Sequence, residues 1–400
     1  MRQDFDLQGR AAFLCGSAQV IERSGATPVL PACSELVLSF LDALSRKLMS
    51  SSEARAYADV MTWAFWVRRA SLDKVARRLS QDGRIRLGRG LALHIAPSNV
   101  PVNFAVSMTS SLLAGNITAV RVPAREFEQV RIICEAMNSL LGGGFEAMRP
   151  YVAVMRYGHD DEVNAYLSSV CDLRVVWGGD ATVAAFRAIP IPPRAIEMDF
   201  PDRHSLCVIE SSEYLKMDPA KVARLFYTDT YYSDQNACSS PRAVIWLGGS
   251  RGEARERFYG ALAELVAERY AMQPIQAVDK LNAFCELAAA GFRPQRAGSD
   301  NRLFRVEGCR ADARLMDFKQ GGGYFFDIDA SSLEDALPLM GKRCQTVSCI
   351  GVDPAKVARM AAAHGVRGVD RVVAAGHTMD LSFTWDGFGM IEAMSRIIDA

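Results

Sequence analysis

From residue 90 onward short apolar strands alternate with amphipathic helices, and this rhythm restricts the possible folds more tightly than anything else in the chain. Leu91–Ala96 reads as a strand, and 103–114 as a helix carrying Val106, Leu112 and Leu113, ended by Gly115-Asn116. Ile117–Val122 is the next strand. Glu126–Leu141 follows as a helix with Val130, Ile133, Met137 and Leu140 on one stripe. Tyr151–Tyr157 is a strand, 161–170 a helix, and Leu173–Trp177 a strand running into Gly178-Gly179-Asp180. Each crossover helix covers the strands it joins, so the pattern predicts a parallel, doubly wound α/β sheet buried on both faces.

A chain of 400 residues exceeds one ordinary core, so two domains are expected. The proline-rich Ile189-Pro190-Ile191-Pro192-Pro193-Arg194 interrupts the rhythm and marks the expected passage out of the first domain. A second alternating series starts near Ser205–Glu210. It runs through Arg242–Gly248, helices over 253–269 and 277–292, and the glycine-rich Gln320-Gly321-Gly322-Gly323. Residues 34–80 read as helical, with Leu41, Leu44 and Leu48 in phase.

The 46 basic and 46 acidic side chains cancel, which argues against nucleic acid or an anionic membrane as the main partner. No run approaches the roughly 18 apolar residues that a spanning helix needs. Acids at Asp4 and Asp6 interrupt the start, where a signal peptide would be apolar, and the expected location is the cytoplasm. The ten cysteines form no CxxC pair, and the five histidines form no ligand cluster, so no metal site is expected. Cys15, Cys134, Cys285 and Cys349 read as small core residues.

Cys238 is different. It sits in Tyr231-Tyr232-Ser233-Asp234-Gln235-Asn236-Ala237-Cys238-Ser239-Ser240-Pro241, a polar loop between a helical run and the strand Ala243–Leu247. A thiolate is the strongest common side-chain nucleophile near neutral pH. Two readings stay open: a nucleophile, or one more buried thiol. Asn99, in His94-Ile95-Ala96-Pro97-Ser98-Asn99-Val100-Pro101, offers a carboxamide that could join the Cys238 N–H in holding an oxyanion, or it is a turn asparagine serving local backbone. Trp177-Gly178-Gly179-Asp180-Ala181-Thr182 is a glycine turn opening a helix, whose N–H groups suit a pyrophosphate, although no GxGxxG follows a strand. Arg121, the only charge in its apolar strand, suits a ribose or 2′-phosphate, or it stands at a strand end in solvent. Trp63, Phe65, Trp66, Phe104, Tyr231 and Tyr232 either line an acyl tunnel or are core.

Pro97-Ser98-Asn99-Val100-Pro101, then Leu113-Ala114-Gly115-Asn116 and Val120-Arg121-Val122-Pro123, resembles the signature region of the aldehyde dehydrogenase superfamily. There a proline–asparagine–proline turn, an Ala-Gly-Asn and a basic residue on the next strand recur in that order. More closely, the chain resembles the acyl-CoA reductase family typified by the fatty acid reductase of bacterial luminescence. His94–Pro101, Asp234–Pro241 and Trp385-Asp386-Gly387 carry that likeness, with Trp177–Asp180 and Gln345-Thr346-Val347 in support.

The resemblance implies an aldehyde-dehydrogenase-like fold of two doubly wound α/β domains with a small oligomerisation element. The cofactor-binding domain would span 1–204, with a helical part over 1–89 and a dinucleotide-binding part over 90–204. A catalytic domain would span 205–370, and a C-terminal return and oligomerisation segment 371–400. The resemblance implies Cys238 as the acylated nucleophile and Asn99 as an oxyanion donor. Pro97, Ser98, Arg121, Gly178, Gly179, Asp180 and Thr182 would contact NADPH. Glu197, in Ile196-Glu197-Met198-Asp199-Phe200, stands for the glutamate of the hydrolytic members' Glu-Leu-Gly-Gly, whose glycines are missing here.

The implied reaction is NADPH-dependent reduction of an acyl-CoA or acyl carrier protein thioester to an aldehyde, through an acyl-cysteine. Such a reductase needs no activated water. The alternatives are NAD(P)-dependent oxidation of a free aldehyde, and acyl transfer or thioester hydrolysis on the same cysteine. An acyl-protein synthetase, an acyl carrier protein and further copies of the chain are the implied partners.

Overall fold

The computed structural model describes residues 5–399 and divides the chain into two compact units, Met1–Pro201 with Leu381–Ala400, and Asp202–Asp380. In the first unit the strands are β1 (Ala12–Cys15), β2 (Ile85–Gly88), β3 (Leu91–Ile95), β4 (Ile117–Val122), β5 (Val152–Arg156), β6 (Leu173–Trp177) and β7 (Ile196–Phe200). Six of them form one sheet in the order β1-β5-β4-β3-β6-β7, parallel throughout except for β1. β4 and β6 fall where the periodicity placed them, and β3 and β5 are trimmed at their ends. Every residue of β3 and β6 is buried, the pattern expected of central parallel strands. The helical N-terminal part resolves into Glu35–Ser50, Ala58–Trp66 and Arg69–Ser80. β2 pairs antiparallel with the C-terminal strand Ser395–Ile398 in a separate two-stranded ribbon.

Two expectations are corrected. The proline-rich stretch is not the way out of the first unit. It is the crossover to β7, and the chain leaves only at Pro201–Asp202. Arg174 is the reason. Buried on β6, it donates to the Ile189 carbonyl at 2.9 Å and to Ser168 Oγ at 3.0 Å, and it pairs with Glu197 directly opposite on β7. The C-terminal segment also divides later than expected. Residues 371–380 stay with the second unit, and from Leu381 the chain rejoins the first. There Phe383 stacks on Trp66 at 4.1 Å, and Phe388 meets Phe200 edge-on at 5.9 Å.

A buried histidine gives the first unit a pH dependence. His94, fully enclosed on β3, holds Ser107 Oγ at 2.7 Å through Nδ1, and Ser107 also accepts from Trp177 Nε1 at 2.9 Å. Burial pushes its pKa down to about 3. A group depressed in the folded state contributes stability that is complete above its unfolded pKa, about 6.5, and is lost as pH falls below it. The difference in unfolding free energy between wild type and His94→Gln is therefore expected to narrow by about 2 kcal/mol on going from pH 7.5 to 5. Urea titrations at the two pH values would read it, and a pH-independent gap would refute the assignment.

The second unit holds β8 (His204–Glu210), β9 (Pro241–Leu247), β10 (Gln295–Ala297), β11 (Phe304–Glu307), β12 (Tyr324–Asp329), β13 (Cys344–Ile350) and β14 (Arg371–Ala374). They order as β10-β11-β12-β9-β8-β13-β14, and only β10 runs antiparallel. Alternate residues of β8 feed two cores: Leu206 and Val208 one, Cys207 and Ile209 the other. Cys285 is exposed on the helix Pro274–Ala289, so its reading as a core thiol is also corrected; the spacing along that helix puts it on the outer face.

Candidate active site

Cys238 lies at the amino ends of the second unit's central strands. The helix Pro219–Asp229 stops at Thr230, a short 3-10 turn spans Tyr231–Ser233, and the backbone then turns left-handed at Asp234 (φ 52°) and Gln235 (φ 57°). Two consecutive non-glycine residues there cost about 1–2 kcal/mol each. Gln235 offsets that cost. Its buried carboxamide donates to the carbonyls of Pro241 at 2.8 Å and Tyr324 at 3.0 Å. Its oxygen accepts from the N–H groups of Gly323 at 2.9 Å and Tyr324 at 3.1 Å. Position 323 must be glycine, since φ is 89° and a Cβ would stand 2.2 Å from the Arg302 carbonyl. Ser205 on β8 donates to the Cys238 carbonyl at 2.7 Å and accepts from Thr346 N–H at 3.1 Å. Nothing in the sequence marked Gln235 or Ser205 for these roles, because their partners come from strands far away in the chain.

Cys238 is half-buried. Burial raises the pKa of Cys33 to about 11 and of Cys15, Cys171, Cys344 and Cys349 to about 12. Cys134, Cys207 and Cys309 are raised by the same cause. These eight are poor nucleophiles at neutral pH.

The first unit gathers the other sequence-marked residues at the carboxyl ends of three neighbouring strands. The Pro97-Ser98-Asn99 turn follows β3, Arg121 stands near the end of β4, and Gly178–Thr182 follows β6. Successive connections run from β3 to β4 to β5 on one side and then cross to β6 on the other, so β3 and β6 flank a topological switch point. Ligands of open α/β sheets bind at such points. Ser98 and Asn99 are exposed, and Pro97 is half-buried. Gly179 caps the helix Asp180–Arg187 without a side-chain hydrogen bond, and a Cβ added to it would meet no atom within 4 Å. Asp180 and Thr182 are exposed on that first turn. The Arg121 guanidinium lies 5.3 Å from the Tyr157 ring centre, and its Nε has no hydrogen-bond partner among the described residues. Helix N–H groups without a side-chain cap, open space at Gly179 and a guanidinium with an unpaired Nε would suit a dinucleotide.

Glu197 is placed apart from this edge. It lies near the start of β7, and its carboxylate is bound by Arg174, with Arg187 at 3.6 Å. Of the aromatic residues, Trp63, Phe104 and Tyr231 are core, while Phe65 and Tyr232 are exposed. Trp66 is partly buried on Phe383. Among the described residues no group of three or more His, Cys, Asp or Glu could hold a metal, and no helix is long and apolar enough to cross a membrane.

Solved structures share this architecture. Aldehyde dehydrogenase 21 from Physcomitrella patens, bound to succinate, superposes with a TM-score of 0.67 at 11% identity, over 95% of this chain and 88% of that one. Lactaldehyde dehydrogenase from Escherichia coli gives 0.64 at 13% identity, over 95% and 88%. An NAD-dependent benzaldehyde dehydrogenase from Corynebacterium glutamicum gives 0.61 at 14%, over 95% and 86%. At these identities the likeness shows the fold, which is aldehyde-dehydrogenase-like. No curated protein sequence matches the chain. The family model for acyl-CoA reductase (LuxC) matches residues 25–292, which include both the Asn99 turn and the Cys238 loop. The chain therefore belongs to the LuxC acyl-CoA reductase family, and its chemistry is oxidoreduction at an acyl or aldehyde carbon.

Proposed function

We propose that the protein reduces an acyl thioester to an aldehyde, and that Cys238 carries the acyl group in between. The Cys238 thiolate attacks the carbonyl of an acyl-CoA or acyl carrier protein thioester, and the Asn99 carboxamide and Cys238 N–H hold the oxyanion. The bond to the leaving sulfur breaks, its thiolate departs, and the acyl group remains on Cys238 as a new thioester. One thioester replaces another, so this step is nearly balanced and reversible. A reduced nicotinamide, NADPH in this reading, supplies hydride to the acyl carbon when bound. The same two donors hold the second oxyanion, whose collapse expels the Cys238 thiolate and releases the aldehyde.

The observation that carries this reading is the half-buried thiol held in a strained, fully clasped loop, in a chain whose family reduces acyl-CoA. The Arg174 clasp on Glu197 favours it over the hydrolytic alternative, since a water-activating base would first have to leave a buried cation. We give Glu197 a structural place. The acyl donor is a CoA or carrier-protein thioester, with an acyl-protein synthetase as a further partner. The ribbon of Ile85–Gly88 and Ser395–Ile398, with exposed Ile85, Ile397 and Ile398, is the proposed contact between copies of the chain.

The test is a series of acyl-CoA chain lengths assayed with NADPH and then NADH. One aldehyde and one free coenzyme A are expected per nicotinamide oxidised, faster with NADPH. A carboxylic acid in place of the aldehyde would overturn the reading. The cofactor turn has its own test. Gly179→Val adds bulk where the fold leaves space, so its melting temperature is expected to stay near wild type. NADPH binding, read by quenching of protein fluorescence, is expected to weaken by at least about tenfold, because a side chain there blocks the helix N–H groups. Unchanged binding would move the cofactor elsewhere.

A further inference from the structure

Lys280 lies on the helix Pro274–Ala289, fully enclosed, and no step of the reaction above uses it. An ammonium out of water costs several kcal/mol unless its N–H groups are matched. Here the matching groups are neutral. Nζ donates to the carbonyls of Gly322 and, at 2.8 Å, Asn301, and it stands 3.5 Å from the Met272 sulfur. Of the charges around it, Asp300 and Asp234 favour the ammonium and Arg296 opposes it. Asp300 is itself held by Arg302 at 2.8 Å, and Arg296 donates to Asn301 Oδ1 at 2.8 Å and to the Ser299 carbonyl at 3.0 Å. Tyr270, kept a phenol by burial, reaches Gln276 at 3.4 Å on the same helix.

The Gly322 carbonyl is one side of a planar unit whose other side is the Gly323 N–H. That N–H donates to Gln235 Oε1 at 2.9 Å, while the Gly322 N–H donates to the Asp234 carbonyl at 2.8 Å. Glycine on both sides, with φ of 65° and 89°, lets such a peptide turn over at little cost. Turned over, it would face the Gln235 oxygen with a carbonyl and remove one of the two N–H groups that hold it. A charged donor on the opposite side makes the stronger kind of hydrogen bond, and it holds the unit as it stands.

We propose that Lys280 locks the Gly322–Gly323 peptide in the orientation that holds Gln235, and so fixes the loop that carries Cys238. The inference rests on the proposed reaction at Cys238 and adds to it a positioning residue, which acts only through that loop.

Amide exchange read by mass spectrometry, taken together with turnover, tests this. Lys280→Met fills similar space without a donor. Protection over Asp234–Asn236 and Gly322–Tyr324 is expected to fall by at least about tenfold, with β13 unchanged, and Lys280→Gln, which keeps an N–H donor, should recover part of it. The kcat for aldehyde formation should fall by at least about tenfold with KM little changed, since the loss is one of placement. Melting curves show whether each variant is folded. A folded Lys280→Met with wild-type protection would overturn the proposal, as would lost protection with a wild-type kcat. If neither variant folds, the pH dependence of wild type decides. Burial pushes the Lys280 pKa down to about 8. A form opened to water then binds more protons than the closed one, so closing is favoured as pH rises from that value toward about 10.4. Protection of the Gly322–Tyr324 amides, corrected for intrinsic exchange, is expected to rise about tenfold from pH 7.5 to 9.5, and flat protection would overturn the proposal. Loop protection lost in Lys280→Met, in a protein that makes no aldehyde, would leave Lys280 as the lock while the proposed function falls.

Discussion

Cys238→Ala is expected to form no acyl-enzyme and to lose aldehyde formation by at least about 10⁴-fold, since removing a nucleophile removes the whole covalent path. The alanine keeps the backbone, and the clasp of Gln235 and Ser205 acts on groups other than the sulfur. The melting temperature and NADPH binding should therefore stay near wild type. A radiolabelled acyl-CoA, mixed with the variant and separated by gel filtration, should leave no label on the protein. Label retained at the wild-type level would show that the acyl group sits elsewhere.

Asn99→Ala should cripple the enzyme without silencing it. Loss of one oxyanion donor commonly costs on the order of 10²-fold in rate, and the cost falls on the chemical step. A lower kcat with little change in KM is expected, because the carboxamide is proposed to bind the charged intermediates more strongly than the ground-state carbonyl. Asn99 is exposed in the turn after β3, so the variant should fold normally. Its Cys238 should still alkylate at the wild-type rate, which separates lost oxyanion binding from a damaged nucleophile. A rate within threefold of wild type would remove Asn99 from the mechanism.

The fold was legible where one physical pattern acted alone. β4 and β6 are continuous apolar runs because both faces of a parallel sheet are covered, and they could be read to the residue. β7 was not seen, because its partially exposed Ile-Glu-Met-Asp-Phe follows three closely spaced prolines and no apolar run. It is a strand because Arg174 on β6 faces Glu197, a pairing that only the register reveals. Cys285 misled for a related reason: apolar neighbours in sequence point to several sides of a helix.

The candidate site was legible at Cys238 and Asn99 and not in the residues packed around them. Cys238 and Asn99 stand out as polar or nucleophilic residues in turns between apolar runs. Gln235 and Ser205 do not, since their meaning comes from carbonyls and amides on β9, β12 and β13 and from the Cys238 carbonyl itself. Cys238 also sits at the amino ends of its strands, while the sequence-marked residues of the first unit gather at carboxyl ends. Periodicity cannot distinguish those two ends, and tertiary structure does.

Intact-protein mass spectrometry after mixing wild type with a series of acyl-CoA thioesters, nicotinamide omitted, probes the chemistry at its source. One acyl group per chain should appear, map to the Cys238 peptide, and disappear when hydroxylamine cleaves the thioester. If no chain length adds mass, or the added mass maps to another residue, the acyl-cysteine mechanism is wrong.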